Sequence, residues 1–218
     1  MSAQDEDLWP RIAANRRRAA DLLADLDDAG WRTQSLCGAW TVQDLAGHLL
    51  MPIEASFPRA IIRTVLARGD FDRVTDAISR ELATAPRDEL VRRLRDGADV
   101  RRSPPFVGAL GPMVDSCIHL RDAARPLGSC TDAPIDDWRI VLDFLVGPKA
   151  RTGFVPRGRL DGLALRATDQ EWVHGSGREV AGPSEALAMA AAGRPAALAE
   201  LTGPGMAVLR DRLSQPRG

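Results

Sequence analysis

The sequence lacks any hydrophobic stretch of membrane-spanning length and any leader-like start. A helix that crosses a bilayer needs roughly 18 consecutive apolar residues, and no apolar run in this chain approaches that length. The opening segment, MSAQDEDLWP, lacks the basic region followed by an apolar region that marks a secretory leader. These two absences predict a cytoplasmic protein without a membrane partner.

Cysteine and lysine are also scarce. The three cysteines, Cys37, Cys117 and Cys130, are odd in number and show no C-x-x-C spacing, which is typical of reduced thiols rather than of a disulfide framework. Lys149 is the single lysine among 29 basic residues, and 30 acidic residues bring the formal net charge to -1. Because the charges are balanced, we expect no nucleic-acid partner.

Apolar residues recur at helical spacing through about two thirds of the chain. Thr41, with Asp44 three positions further on, has the pattern of a capping box that begins a helix. Amphipathic helices of this number and spacing favour an up-and-down four-helix bundle. The spacing predicts helices over 6–28, after Thr41, over 57–82 as one bent helix or two, over 87–100, over 113–125 and over 136–146.

The pattern changes after Gly147-Pro148. Residues 162–168, GLALRAT, alternate as a half-buried strand does, and HGSG at 174–177 is predicted to turn the chain toward a second short strand at 179–180. Further helices are predicted from the prolines at 183, 195 and 204. The fold class predicted is therefore mainly α with a small α+β part: a helical bundle over 1–150, then a small α+β domain over 151–218.

Two of the three histidines suggest a metal site. His48 occupies an apolar helix where another leucine would serve the core, while Asp115 and His119, four residues apart, lie on one face of a later helix. Two imidazoles and one carboxylate form a common open site for a divalent cation. Asp122 is placed to orient His119 or to act as a weaker fourth ligand. A hydrogen-bonded core histidine is the alternative that spacing alone leaves open.

Three segments resemble one protein family. LCGAWTVQDLAGHLL at 36–50 resembles the C-x-x-W-T-V-x-D-x-x-x-H-L signature of the DinB-like, mycothiol-dependent maleylpyruvate isomerase family. MVDSCIHLRDAARPLG at 113–128 is similar to that family's second metal segment, and residues 163–213 resemble its small C-terminal domain. The resemblance implies a DinB-like bundle whose metal ligands are His48, Asp115 and His119. Asp115 stands where the isomerase has glutamate.

The resemblance also implies a chemistry. Family members use mycothiol, a small thiol of actinobacteria, so the expected activity is a metal-dependent, mycothiol-dependent S-transferase or isomerase that acts on a small electrophile. Zinc is the expected ion and mycothiol the cosubstrate. Arg121 or Arg125 is a predicted substrate-binding residue, although Arg125 is equally placed as a helix C-terminal charge. The chain is expected to be a monomer or a homodimer.

Two other functions remain open at this point. A DinB-like protein can bind metal or another ligand without catalysis, and a metal-dependent hydrolase would place water rather than thiol at the open position. The simplest interpretation of His174 is an exposed loop residue. Cys37 is interpreted as a small residue packed under Trp40, and Cys117 points away from the face shared by Asp115 and His119.

Overall fold

The computed structural model describes residues 3–38, 40–54, 57–103, 107–151 and 153–215. The chain divides into two compact units, Met1–Asp132 and Ala133–Gly218. The first is helical, and the second combines helices with a three-stranded sheet. The fold class predicted from the sequence, mainly α with a small α+β part, is therefore confirmed.

The described part of the first unit contains seven helices: α1 Ala3–Ala24, α2 Asp28–Arg32, α3 Val42–Glu54, α4 Phe57–Leu66, α5 Phe71–Leu82, α6 Arg87–Asp96 and α7 Leu110–Ala124. Within this unit α3 packs on α5 and α6, while α1 packs on α6 and α7, and α7 also contacts α3. The residues 57–82 form two helices, not one, because Gly69 has a positive φ of 88° and Asp70 caps the second helix.

The start of α3 is fixed by the capping box that the sequence predicts. The Thr41 hydroxyl accepts from the Asp44 backbone N–H at 3.2 Å, and the Asp44 carboxylate accepts from the Thr41 N–H at 2.9 Å. Each side chain thus satisfies an amide that the first helical turn leaves unpaired. This fixes the register of α3, so that Leu45, His48 and Leu49 face the interior.

Gly47 allows α3 and α5 to approach closely. A Cβ atom at this position would lie 2.2 Å from the Ser79 carbonyl oxygen and 2.7 Å from the Ala83 backbone nitrogen. Both atoms belong to backbone, which cannot turn aside as a flexible side chain can. The absence of a side chain at Gly47 therefore brings Ser79, fully buried on α5, next to His48 on α3.

The second unit combines helices with a small sheet. Its elements are α8 Ile135–Leu145, β1 Leu163–Ala167, β2 Val173–Gly175, β3 Arg178–Gly182, α9 Ser184–Ala191 and α10 Met206–Ser214, with 3-10 helices at Pro148–Arg151 and Pro195–Glu200. The sheet has the order β2-β1-β3, in which β1 pairs with β2 in antiparallel fashion and with β3 in parallel fashion. Every residue of α9 is buried, including Ser184 and Glu185 in its first turn, and the six residues that follow them are all apolar.

The structure differs from the sequence predictions at two places in this unit. His174 lies in β2 rather than in a turn, because the turn to the next strand comes later, at Gly175 and Gly177, both of positive φ. The segment after Pro195 is a 3-10 helix. The second unit begins at Ala133 and includes α8, which packs on α9, and a domain boundary at residue 150 stays a prediction. Among the residues that the structure describes, no helix is both long enough and apolar enough to cross a bilayer.

Candidate metal centre

Three predicted site residues meet inside the first unit. Asp115 and His119 lie one turn apart on α7, and His48 faces them from α3. The Asp115 Oδ1 atom is 3.3 Å from His48 Nε2 and 3.3 Å from His119 Nε2, and the two imidazole centroids are 4.6 Å apart. We refer to His48, Asp115 and His119 as the donor cluster. One carboxylate oxygen thus faces the same nitrogen of both rings.

The second nitrogen of each ring has its own partner. His48 Nδ1 lies 3.2 Å from the Ser79 hydroxyl, and His119 Nδ1 lies 2.9 Å from Asp122 Oδ2. A polar partner on one ring nitrogen fixes the tautomer and the orientation of a ligating imidazole. Both Nε2 atoms are therefore held toward Asp115. Because Asp122 meets Nδ1, its position suits orientation of His119 better than ligation beside Nε2.

The cluster is buried unevenly. The side chains of His48 and His119 are 9% and 11% exposed, whereas that of Asp115 is 25% exposed. Solvent, and any ligand, therefore reaches the cluster on the Asp115 side. The Asp122 side chain is fully buried, so its hydrogen bond to His119 is sheltered from competing water.

The electrostatics of the cluster favour a cation. Burial lowers the pKa of His48, and the Asp115 carboxylate offsets this only in part. Burial alone would lower the pKa of His119, but the charge of Asp115 and hydrogen bonds with Asp115 and Asp122 raise that pKa well above its usual value. Burial would raise the pKa of Asp115, yet the two imidazoles hold it well below its usual range. An ionised carboxylate in this setting requires positive charge beside it.

The geometry of the donor atoms fits a divalent ion. The three donor atoms lie within 4.8 Å of one another. Ligands held about 2.0–2.1 Å from a tetrahedral zinc lie about 3.3–3.4 Å apart, which matches the distance from Asp115 Oδ1 to each Nε2. Two imidazoles and one carboxylate are donors that suit zinc and similar ions. Three protein ligands also leave room for a fourth from outside the protein.

Sequence reasoning missed two residues beside the cluster. The Trp40 ring packs 4.8 Å from the His48 ring and 6.5 Å from the His119 ring, and its indole N–H donates to Asp76 at 2.7 Å. Ser79 is the second, and its contact with His48 depends on the closeness of α5 to α3, for which Gly47 is the trace in the sequence. Trp40 forms one wall of the cluster.

Cys37 lies closer to the cluster than a packing role requires. Its sulfur belongs to a second group of possible ligand atoms, with His119 and Asp122, that lie within 4.8 Å of one another. The side chain is half-buried in the loop that precedes α3. The Leu36 N–H donates to the Asp122 carbonyl at 3.0 Å, which ties this loop to α7. Cys37 therefore stands on the Asp122 side of His119.

The remaining predicted residues have other surroundings. The Arg121 guanidinium donates to the carbonyls of Ser129 and Thr131 and lies 3.7 Å from the Asp132 carboxylate. Arg125 is the C-terminal capping residue of α7. Their predicted role in substrate binding stays a prediction. Cys117 accepts from the Asn15 side chain at 3.3 Å and so faces α1.

Comparison with known proteins places these residues in a family context. Residues 12–104 match the model of the mycothiol maleylpyruvate isomerase N-terminal domain. This segment contains His48 but not Asp115 or His119. A search of curated proteins gives no match. The match to this domain confirms the resemblance predicted from the sequence.

Two solved structures are similar over nearly the whole chain. One is the mycothiol-dependent maleylpyruvate isomerase, with a TM-score of 0.61, and the other is a histidine-to-alanine mutant of the mycothiol-dependent maleylpyruvate isomerase, with a TM-score of 0.62. Each is 16% identical to this chain and covers 92% of it and 92% of its own length. At this identity the likeness shows the shared fold, and the substrate has to be inferred from the site.

Proposed function

We propose that this chain, of which residues 12–104 match the model of the mycothiol maleylpyruvate isomerase N-terminal domain, is a divalent-metal-dependent thiol transferase or isomerase. Mycothiol would be the thiol cosubstrate and a small electrophile the second substrate. The observation that carries the proposal is the approach of His48 Nε2 and His119 Nε2 to the same Asp115 oxygen, each at 3.3 Å.

The donor cluster would hold the ion, and its surroundings would keep it in place. Ser79 and Asp122 hold the two imidazoles by their Nδ1 atoms, so the Nε2 lone pairs converge without reorganisation when the ion binds. His48, whose pKa is lowered, is already neutral and ready to ligate. His119, whose pKa is raised, releases a proton on binding.

A divalent ion held by His48, Asp115 and His119 would lower the pKa of a coordinated thiol, which is otherwise near 8.5, and would so supply a thiolate at neutral pH. The residues of the chain provide the rest of the environment. Trp40 covers the ring faces and limits water around the cluster. The 25% exposure of Asp115 leaves one side open for the thiol and the electrophile.

Zinc is the ion that the donor set suits best. Imidazole nitrogen and carboxylate oxygen are common ligands of catalytic zinc, and the 3.3 Å spacing fits its tetrahedral geometry. Aspartate reaches less far than the glutamate expected from the family resemblance. Asp115 would therefore hold the ion by its Oδ1 atom, the oxygen that faces both rings.

The experiment is a turnover assay on the metal-loaded full chain. Mycothiol is supplied with a panel of small electrophiles, including maleylpyruvate, and both thiol consumption and double-bond isomerisation are followed. We expect turnover of at least one electrophile, its loss on treatment with a chelator and its recovery when zinc is restored. His48→Ala should abolish turnover, whereas His174→Ala should not.

The assay also separates the proposal from its alternatives. A zinc-loaded protein that turns over no electrophile with mycothiol would be a binding protein and would contradict the proposed function. Hydrolysis of the electrophiles without mycothiol would favour a metal-dependent hydrolase. In both cases metal content would be unchanged, so turnover is the deciding measurement.

A further inference from the structure

The second unit contains a cleft that the proposed function does not use. Its volume is about 200 Å³, and it lies between the end of α8, the 3-10 helix at Pro148–Arg151, the loop over 155–162 and the β1–β2 edge of the sheet. Its inner wall is apolar, because Leu145, Val155 and Leu163 are buried there. We refer to it as the second-unit cleft.

The register between β1 and β2 places His174 on the side of the sheet that faces this cleft. His174 is the antiparallel partner of Leu165, and directly paired residues project from the same face of a sheet. Leu163 and Leu165 line the cleft from that face. His174 therefore adds a polar ring to the same wall, stacked on Trp172 with ring centroids 6.2 Å apart.

The outer edge of the cleft is cationic. Arg151 and Arg157 both line it and are exposed. Within the part of the chain that the structure describes, neither guanidinium has a hydrogen bond or an ion pair. Arg157 precedes Gly158, whose positive φ of 83° turns the backbone at the rim. Two guanidinium groups that pair with no described residue thus stand beside an apolar wall.

From this arrangement we propose that the second-unit cleft binds a small organic acid with a single carboxylate. Arg151 and Arg157 pair with the carboxylate, His174 and Ser176 border it, and the wall of Leu145, Val155 and Leu163 contacts the apolar body of the ligand. A guanidinium and a carboxylate form strong charge-assisted hydrogen bonds. The site is independent of the donor cluster.

Charge and size restrict the ligand. Asp161 also lines the cleft, so the two arginines and this carboxylate leave a net charge of about one positive unit. This favours a monoanion over a multiply charged phosphate. A volume of about 200 Å³ corresponds to about seven water molecules at about 30 Å³ each. A ring-sized acid such as benzoate fits, and a nucleotide does not.

Benzoate is the probe for the test, with benzamide as its uncharged counterpart and inorganic phosphate as the anion without an apolar body. Binding to the full chain is measured by calorimetry and by the shift of the His174 ring resonances. We expect saturable benzoate binding, with benzamide and phosphate each at least tenfold weaker. A chain carrying both Arg151→Gln and Arg157→Gln should bind benzoate at least tenfold more weakly.

Two control variants test whether benzoate binding depends specifically on the second-unit cleft. Arg166→Gln removes an arginine of β1 that is exposed and ion-paired with Glu179 at 2.9 Å, and it should leave benzoate binding unchanged. His48→Ala disrupts the donor cluster and should also leave it unchanged. The proposal is overturned if benzamide or phosphate binds as well as benzoate, if the double variant binds as the unmodified chain does, or if His48→Ala abolishes binding. The comparison of benzoate with benzamide needs no variant, so it stands even if the double variant fails to fold.

Discussion

The donor cluster and the second-unit cleft place histidine in opposite settings. In the cluster, both nitrogens of His48 and of His119 have polar neighbours, and both rings are almost fully buried. In the cleft, His174 is exposed and stacks on Trp172. The histidines of the donor cluster are therefore distinguished from His174 by a partner that holds the Nδ1 atom of each ring. The residue type alone does not mark it.

The two regions also differ in the charge that each leaves uncompensated. The cluster surrounds an ionised carboxylate with two imidazoles, one of which stays neutral because burial lowers its pKa. The cleft presents two exposed arginines beside an apolar wall. The first arrangement suits a cation and the second suits an anion. Variants in one region should therefore leave ligand binding in the other unaffected.

The largest effect is expected from Asp115→Ala. This variant removes the carboxylate whose Oδ1 atom faces both Nε2 atoms, so we expect the affinity for zinc to fall by more than about 100-fold. The matched variant Asp161→Ala removes a carboxylate that lines the cleft and should leave zinc affinity unchanged while strengthening benzoate binding. Titration calorimetry with each ligand measures both. An equal loss of zinc affinity in the two variants would show that zinc binding does not depend specifically on the donor cluster.

Asp122→Asn should have the next largest effect. The amide still accepts from His119 Nδ1 but no longer raises the basicity of the ring, so zinc affinity should fall by about 10-fold. Asp143→Asn is the control, because Asp143 likewise accepts from a ring N–H, that of Trp172 at 2.8 Å, but in the second unit. If Asp122→Asn binds zinc as tightly as the unmodified chain, Asp122 does not act on the site.

Ser79→Ala should weaken zinc binding less, by about threefold to tenfold, because a neutral hydroxyl orients a ring less strongly than a carboxylate does. Ser116→Ala serves as the comparison. Ser116 is also a buried serine, but its hydroxyl donates to the Met113 carbonyl of its own helix. Competition with a fluorescent zinc chelator resolves such differences. Equal affinities of the two variants would show that the Ser79 contact has no influence on the ion.

The smallest effect is expected from Asp76→Asn, which changes the residue that accepts the indole N–H of Trp40. Hydrogen bonding from the Trp40 indole, with a further contribution from Arg80, lowers the pKa of Asp76 below its usual 3.8. A lowered pKa means that the carboxylate stabilises the folded state above pH 3.8, and that this contribution disappears as the pH falls through the folded value. Asp76 is 46% exposed, so Asp76→Asn should cost less than about 1 kcal/mol at pH 7.

Urea unfolding at a series of pH values measures the contribution of the Asp76 carboxylate to the free energy of unfolding. The difference in unfolding free energy between the unmodified chain and Asp76→Asn should shrink toward zero in acid. Asp96→Asn, which breaks an exposed pair with Arg92 without an indole donor, should cost less at pH 7. A difference that grows as the pH falls would contradict the assigned direction of the pKa shift.

The sequence predicts which three side chains come together in the donor cluster, because their arrangement is local or carried by motifs. Asp115 and His119 share a face through helical spacing alone, and the capping box sets where α3 begins. Ser79 could not be predicted in this way. Its contact with His48 depends on the register between two helices, which Gly47 allows but does not specify.

Long-range packing also explains what was missed in the second unit. The apolar stripe of α8 indicates that one face is buried, but not that the face lies against α9. β2 has only three residues, all exposed, and it forms because β1 offers a free edge. A segment of three residues is too short to show the alternation of polar and apolar residues that marks a strand. The sequence therefore predicts a turn at His174, and only the pairing with Leu165 shows that it lies in a strand.

The most direct test of the central claim is the zinc stoichiometry of the three single-histidine variants. Elemental analysis after dialysis should find about one zinc per chain in the unmodified protein and in His174→Ala, and none above background in His48→Ala or His119→Ala. If His48→Ala or His119→Ala retained the zinc of the unmodified protein, or if the unmodified protein held none, the donor cluster would not be a metal centre.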